Sequence, residues 1–260
     1  MEENLSKLVE CTIPGREQRL VVSGSDSRLY TRFNPPMEFL LSNAGYEMAL
    51  YRLETYFSFP NIDSSNNSIR ISIDSGKNWF DLKIPIGCYG ITGINEALQR
   101  LFPNKSNDKK VKEPYVVLSG NKNTLKCVLE IMKDSTIVDF NTQNSIRSVL
   151  GLEAKKYKGG GSRYESENKV NILSVNSILV HCDVINATRV NGMHAPVIYN
   201  FFPNVSPGEK IVSQPQHLIY VPLTMNVIPS MTVWVTDQNG ELLQLRGEQL
   251  TLTFHIRKRR

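Results

Sequence analysis

The sequence predicts an all-β protein, an antiparallel β-sandwich with two short helices in its connections. Three observations carry that expectation. Apolar and polar residues alternate in short runs, most cleanly where Leu250, Leu252, Phe254 and Ile256 interleave with Thr251, Thr253, His255 and Arg257; this is the period of a strand with one buried face. Turn residues punctuate the runs, as in Asp237-Gln238-Asn239-Gly240. The runs number about ten to twelve and show no fixed-period repeat, which suits a sandwich better than a solenoid.

In chain order, residues 1–27 are polar and mixed and read as an N-terminal arm. Leu29 to Leu41 is extended and is expected to be broken by Asn34-Pro35-Pro36, which no helix tolerates. Tyr46 to Phe59 mixes helix formers with an alternating aromatic half; the longer alternating half and Pro60 favour a strand. Ser68–Ile73 and Trp79–Ile84 form a hairpin about Asp74-Ser75-Gly76. Thr92 caps a short amphipathic helix, Gly93 to Phe102, that Pro103 stops. Residues 103–114 are a polar loop, and Tyr115–Leu118 with Thr124–Met132 make a second hairpin. Asn144 caps a second helix, Ser145 to Leu150, ended by Gly151. Residues 155–168, with three consecutive glycines, read as a flexible loop. Beyond it, Val170–Leu173, Ile178–Val184, Val197–Phe202, His217–Pro222 and Met231–Thr236 are expected strands. One domain over 28–256 is more economical than two, because no linker separates two self-sufficient halves.

Composition is that of a globular protein, 40% hydrophobic and 21% charged. Arg257, Lys258, Arg259 and Arg260 supply four of the positive charges behind a net +5, so the expectation is a near-neutral body with a basic tail at 257–260. Those four residues are candidate nucleic-acid contacts, although a merely solvated terminus explains the same run. Cys11, Cys88, Cys127 and Cys182 are far apart and form no metal-ligand spacing. The first residues lack the apolar core of a signal peptide, and no run reaches the roughly 18 apolar residues of a membrane span. A reducing compartment follows as an expectation.

Chemistry finds little support. No phosphate-binding glycine loop, dinucleotide fingerprint or nucleophile elbow is present. His181, His194, His217 and His255 lie too far apart for a local metal pair, and the carboxylates do not cluster. No catalytic residue, cofactor or metal is therefore assigned. Aromatic and basic residues interleave at Tyr30-Thr31-Arg32-Phe33 and Tyr51-Arg52, a pattern that can stack bases; strand periodicity favours a core role. Tyr157, Lys158, Arg163 and Tyr164, on the glycine-rich loop, form a candidate contact surface.

Two blocks resemble the single jelly-roll minor capsid (penton) proteins of Polinton/Maverick elements and the related adintoviruses. The first is Tyr46 to Leu98, with YEMALYRLETYFSFPNI and IPIGCYGITGINEAL; the second is Val170 to Arg257, with VNILSVNSILVHCDVINATRVNG, IYNFFPNVSPGEKIV, LIYVPL and DQNGELLQLRGEQLTLTFHIR. The chain departs from the family pattern at Gly90, where an acidic residue is expected. The resemblance implies a single jelly roll of two four-stranded sheets. It further implies a virion subunit that forms homopentamers at icosahedral vertices, with its flanks against a major capsid protein. Packaged DNA would then be the partner of the basic terminus. Other classes that fit the residues are a principal shell protein of a small capsid, a receptor- or carbohydrate-binding sandwich, and a sandwich-fold hydrolase.

Overall fold

The computed structural model describes residues 17–39, 45–102, 114–173, 175–186, 188–190 and 192–259. Its sheets are antiparallel, and two short helices lie in the connections, as the sequence predicts. The chain gathers into two compact units, Met1–Phe59 with Val175–Arg260, and Pro60–Ser174. Residues 60–174, expected within one domain, thus form a second unit inserted between two strands of the first.

The first unit opens with β1 (Glu17–Gly24), β2 (Arg28–Glu38) and β3 (Tyr46–Tyr56). The inserted unit supplies β4 (Ser68–Ser72), β5 (Phe80–Lys83), α1 (Ile91–Leu101), β6 (Val116–Asn121), β7 (Lys126–Ile131), β8 (Ile137–Asp139), α2 (Arg147–Leu150), β9 (Lys156–Lys158) and β10 (Ser162–Lys169). The chain returns to the first unit with β11 (Ile178–Cys182), β12 (Thr188–Val190), β13 (Met193–Ala195), β14 (Val197–Phe201), β15 (Lys210–Ser213), β16 (Val221–Pro222), β17 (Val227–Thr236) and β18 (Leu250–Lys258).

The first unit is a jelly roll. One sheet runs β1-β18-β3-β15, with β16 also on β3; the other runs β14-β11-β17-β2. Alternation decides which side chains meet. Leu250, Leu252, Phe254 and Ile256 of β18 are buried, as are Val233 and Val235 of β17 and Leu29 and Phe33 of β2, and all belong to one core fed by both sheets. Phe254 is fully buried; truncating such a ring typically removes about 3–5 kcal/mol.

Register places the chain's landmarks at opposite ends of this unit. Glu17 faces Arg257 and Lys258 faces Tyr46, so the beginning of β1, the beginning of β3 and the end of β18 share one end. Gly24 faces Leu250 and Tyr56 faces Lys210, at the other end. The chain departs for the inserted unit after Phe59 and comes back at Val175, next to the end of β3 and the beginning of β11. Lys258 and Arg259, at the end of β18, lie at the opposite end of the jelly roll.

Three expectations are corrected here. The 1–27 arm contains β1, an eight-residue edge strand fully registered against β18, while residues 1–16 lie outside the described set. Backbone pairing with β18, more than apolar content, holds that polar segment. β2 continues through Asn34-Pro35-Pro36 to Glu38, because it is an edge strand and its register shifts opposite Ile228 to Ser230; an edge tolerates proline where a central strand does not. Val170–Leu173 is not a strand, since Val170 and Asn171 donate instead to Leu125 and Val149.

The inserted unit has its own core. Sheets β5-β4-β8-β9 and β10-β7-β6 contribute Ile69, Ile71, Val138, Leu129 and Ile131, and α1 adds Ile94, Ala97 and Leu98. α1 starts at Ile91, with Gly90 in the cap position and no side-chain cap, so Thr92 lies inside the first turn and does not cap it. α2 is shorter than expected, Arg147–Leu150, and ends on left-handed Gly151.

Residues 155–168 are ordered into β9 and β10 and are not a flexible loop. Gly159 donates its N–H to the Thr136 carbonyl at 2.8 Å. A Cβ on Gly159 would collide with the Lys133 carbonyl oxygen, and Gly160 and Gly161 have φ of 110° and 70°. The glycines serve a close backbone approach and a left-handed turn, which composition alone does not distinguish from flexibility.

Candidate functional site

The basic run at the C-terminus is only partly a tail. Arg257 is the penultimate residue of β18; its Nε lies 2.7 Å from Glu47 Oε1 and its guanidinium 3.4 Å from the centre of the Tyr220 ring. The Tyr220 hydroxyl in turn contacts His255 Nδ1 at 2.8 Å. A charge can stay in the strand because a carboxylate and an aromatic face meet it there. Lys258 and Arg259 are exposed, Arg259 N–H donates to the Gly45 carbonyl at 3.0 Å, and Arg260 lies outside the described residues.

Of the four residues expected on the glycine-rich loop, two face solvent. Tyr157 is only 2% exposed. Its ring meets Phe140 and Tyr164 edge-on, at 5.7 and 5.1 Å between centres, and its hydroxyl accepts the Glu153 N–H at 3.3 Å. Burial, with the Glu167 carboxylate nearby, pushes its phenol above the usual range. β9 pairs with β8, and this turns Tyr157 toward the core opposite Val138. Tyr164 is half-buried and donates its hydroxyl proton to the Lys158 carbonyl at 2.9 Å. Lys158 and Arg163 are exposed, and Arg163 lies 3.6 Å from Glu130.

The aromatic-basic pattern in β2 divides. Leu29, Thr31 and Phe33 point into the core, whereas Arg28, Tyr30 and Arg32 point outward, with Tyr30 61% exposed. The core reading therefore holds for Phe33 and fails for Tyr30. Tyr51 is half-buried, with the Arg19 guanidinium 4.7 Å above its ring.

A row of side chains that sequence reasoning missed crosses the outer face of the same sheet. His181 on β11 pairs with Trp234 on β17, which pairs with Arg28 on β2. The imidazole stacks on the indole at 5.0 Å and 6°, and Arg28 lies 5.3 Å from that indole. His181 Nε2 meets Thr236 Oγ1 at 2.9 Å, and burial lowers the imidazole's proton affinity. In the next row, the Asp183 carboxylate accepts the Thr232 N–H at 2.9 Å, and Thr232 pairs with Tyr30. Alternation within β2 and β17 was the available signal; what it lacked was the knowledge that the two strands are neighbours.

Charge is divided unevenly between the units. Residues 60–174 hold seventeen Lys and Arg against twelve Asp and Glu, while the jelly-roll unit, basic terminus included, holds thirteen of each. Without residues 257–260 the chain is near neutral, as the sequence indicates, but that balance sums a basic inserted unit and an acidic remainder of the jelly-roll unit. Among the described residues no group of three or more His, Cys, Asp or Glu is placed to hold a metal ion, and no helix is long and apolar enough to cross a membrane. Cys127 and Cys182 are buried thiols, both pushed up to about 12 by burial.

Eight strands thus divide equally between sheets β1-β18-β3-β15 and β14-β11-β17-β2, with the inserted unit after the third. The chain has the fold of the mavirus penton protein. The crystal structure of that protein matches 92% of this chain and 98% of its own, with a TM-score of 0.51 and 8% sequence identity. The mavirus penton protein thus shares the architecture and almost none of the side chains. Crystal structures of the flagellar cap protein of Escherichia coli, as the D1-D2-D3 and D2-D3 domains, match 91% of the chain at 12% and 10% identity. They match over 55% and 98% of their own lengths, with TM-scores of 0.17 and 0.15. No family model and no curated protein matches the sequence.

Proposed function

We propose that this chain is a structural virion protein and not an enzyme: a penton-like minor capsid subunit that forms homopentamers at the icosahedral vertices of a Polinton/adintovirus-type capsid. The observation that carries the reading is the likeness to the mavirus penton protein over 92% of the chain. A rigid sandwich with variable ends suits a shell, and one heterologous interface repeated around a closed ring serves all five contacts.

The two ends of the jelly roll favour an orientation. Lys258, the last residue of β18, and Arg259 after it lie at the end of the jelly roll opposite the end of β3 and the beginning of β11. In this reading that basic end faces packaged DNA, and the flanks meet a major capsid protein. The subunit is made in the host cytoplasm and resides in the virion.

Light scattering coupled to size exclusion tests the reading, on the chain alone and co-expressed with a major capsid protein. The expected result is a discrete species near five times 29.5 kDa, or incorporation into particles. A stable monomer that never enters particles overturns it and returns weight to a receptor- or carbohydrate-binding module. Particles formed by this chain alone would make it a principal shell protein instead. Deletion of Lys258 to Arg260 is expected to weaken DNA association and its salt dependence; unchanged association removes the DNA-facing assignment.

A further inference from the structure

We propose that the outer face of the β14-β11-β17-β2 sheet is the contact between neighbouring copies of this chain, and that it receives acidic turns from one end of the next copy's jelly roll. The proposal rests on the homo-oligomeric reading and assigns its interface.

Arg28, Tyr30 and Arg32 project from this face beside Trp234, all but the tryptophan classed as exposed. Neither arginine has a carboxylate partner among the described residues. Of the outward arginines of the other sheet, Arg52 pairs with Glu54 and Arg257 with Glu47, each at 2.7 Å, and Arg19 lies over the Tyr51 ring at 4.7 Å; among the described residues that sheet carries no pair of carboxylate-free arginines like Arg28 and Arg32. Unpaired guanidinium groups next to an exposed tyrosine and a tryptophan are the residue types that anchor protein interfaces.

The complementary charge lies at one end of the same unit. Asp26 is in the β1–β2 turn, and Glu241 and Glu248 are in the β17–β18 connection. None of the three carboxylates has a cationic partner among the described residues. Arg28 opens β2 directly after that turn, so it stands at the same height along the strands as these acids. In a ring whose rotation axis follows the strands, every residue keeps its height, and Arg28 of one copy then meets the acidic turns of the next. Closed rings are made from such heterologous contacts.

A single-stranded nucleic acid fits the face less well. Such a surface offers successive free rings for stacking, but Trp234 is already stacked by His181 and approached by Arg28. Tyr30 is then the one largely exposed ring of the row.

Charge reversal with rescue tests the assignment, read by sedimentation velocity and light scattering, with an oligonucleotide titration on the same samples. R28E/R32E and E241R/E248R are each expected to reduce the assembly to the 29.5 kDa chain, and the combined four-residue variant to regain it. Tyr30→Ala is expected to weaken assembly without touching charge, and melting curves check that each variant is folded. Assembly unchanged in R28E/R32E overturns the interface while the oligomeric reading stands. Failure of the combined variant to regain assembly overturns the acidic turns as its partner. Oligonucleotide binding that R28E/R32E abolishes at unchanged mass makes the face a polyanion site and overturns the proposal. A wild-type chain that never self-associates, alone or with a major capsid protein, overturns the oligomeric reading itself.

Discussion

Asn61 and Ile172 are joined by a hydrogen bond of 2.9 Å from the Asn61 Nδ2 to the Ile172 carbonyl oxygen. The same amide donates to the Tyr89 carbonyl at 2.7 Å and accepts the Tyr89 N–H at 2.8 Å. Asn61 is the second residue of the inserted unit and Ile172 is two short of its last. One buried side chain therefore fastens the start of the unit to its finish.

Asn61→Ala strands one buried N–H and two carbonyls, and is expected to remove about 2–4 kcal/mol from the inserted unit. Among the described residues each unit holds one buried thiol as a reporter, Cys127 in the inserted unit and Cys182 in the jelly roll. Pulse labelling across a urea series should show Cys127 becoming reactive at lower urea in the variant, with Cys182 unmoved. An unchanged Cys127 midpoint would mean that the amide does not fasten the unit.

Gly159 and Gly161 separate a structural turn from a flexible linker. Gly159→Ala drives a Cβ into the Lys133 carbonyl, an overpacking expected to cost about 3 kcal/mol. At Gly161 a Cβ meets open space, but φ is 70°, and the left-handed conformation costs about 1 kcal/mol. Thermal melts of the two variants should therefore differ, Gly159→Ala being the less stable. Equal melts at the wild-type value would restore the linker reading.

Legibility followed sequence separation. Leu250 to Ile256 and Ser68 to Ile71 were readable as strands because alternation is a local property. β1 was not, since Leu20 and Val22 are the only deeply buried residues among those whose burial is described there and its order comes from β18, more than 200 residues away in sequence. The inserted unit was hidden for a similar reason: the jelly roll is assembled from residues on both sides of it, and no composition shift marks Pro60 or Ser174. Tyr157 shows the limit for sites. Its neighbours are lysines and glycines, yet its environment is set by β8, Phe140 and Tyr164. Arg257 likewise reads as the first residue of a tail until Glu47 and Tyr220 are placed beside it.

His181 makes stability depend on pH. Its Nδ1 is buried without a hydrogen-bond partner, and Arg28 lies beyond Trp234 in the same row, with Asp183 just past the end of β11. Burial holds the imidazole below its ordinary value of 6.5, so the fold prefers the neutral ring. The unfolded chain takes up a proton near pH 6.5 that the native state resists. The contribution is thus complete above that pH and declines as pH falls through it toward the lower native value. His181→Gln is expected to melt lower than wild type at pH 7.5, through loss of the stack on Trp234, and to lose less stability between pH 7 and pH 5. Parallel pH profiles for the two proteins would show that His181 does not titrate in this range.

Asn95 and Gln99 close an exposed sheet edge. β6 is the outer strand of β10-β7-β6, and its free side meets α1. Gln99 Nε2 donates to the Val116 carbonyl at 2.6 Å, Asn95 Oδ1 accepts the Leu118 N–H at 2.9 Å, and the two amides contact each other at 3.2 Å. Residues four apart share a helix face, so α1 presents to β6 the donor and acceptor that a neighbouring strand would offer. An uncovered edge is a template for pairing with another chain. The double variant N95A/Q99A is expected to lose about 1–3 kcal/mol and to gain concentration-dependent association with added β-sheet signal in the infrared amide band. Either single variant keeps one of the two bonds and should fall between. A double variant as stable and as monodisperse as wild type would mean that water satisfies the edge equally well, and that α1 is held there by Ile94, Ala97 and Leu98 alone.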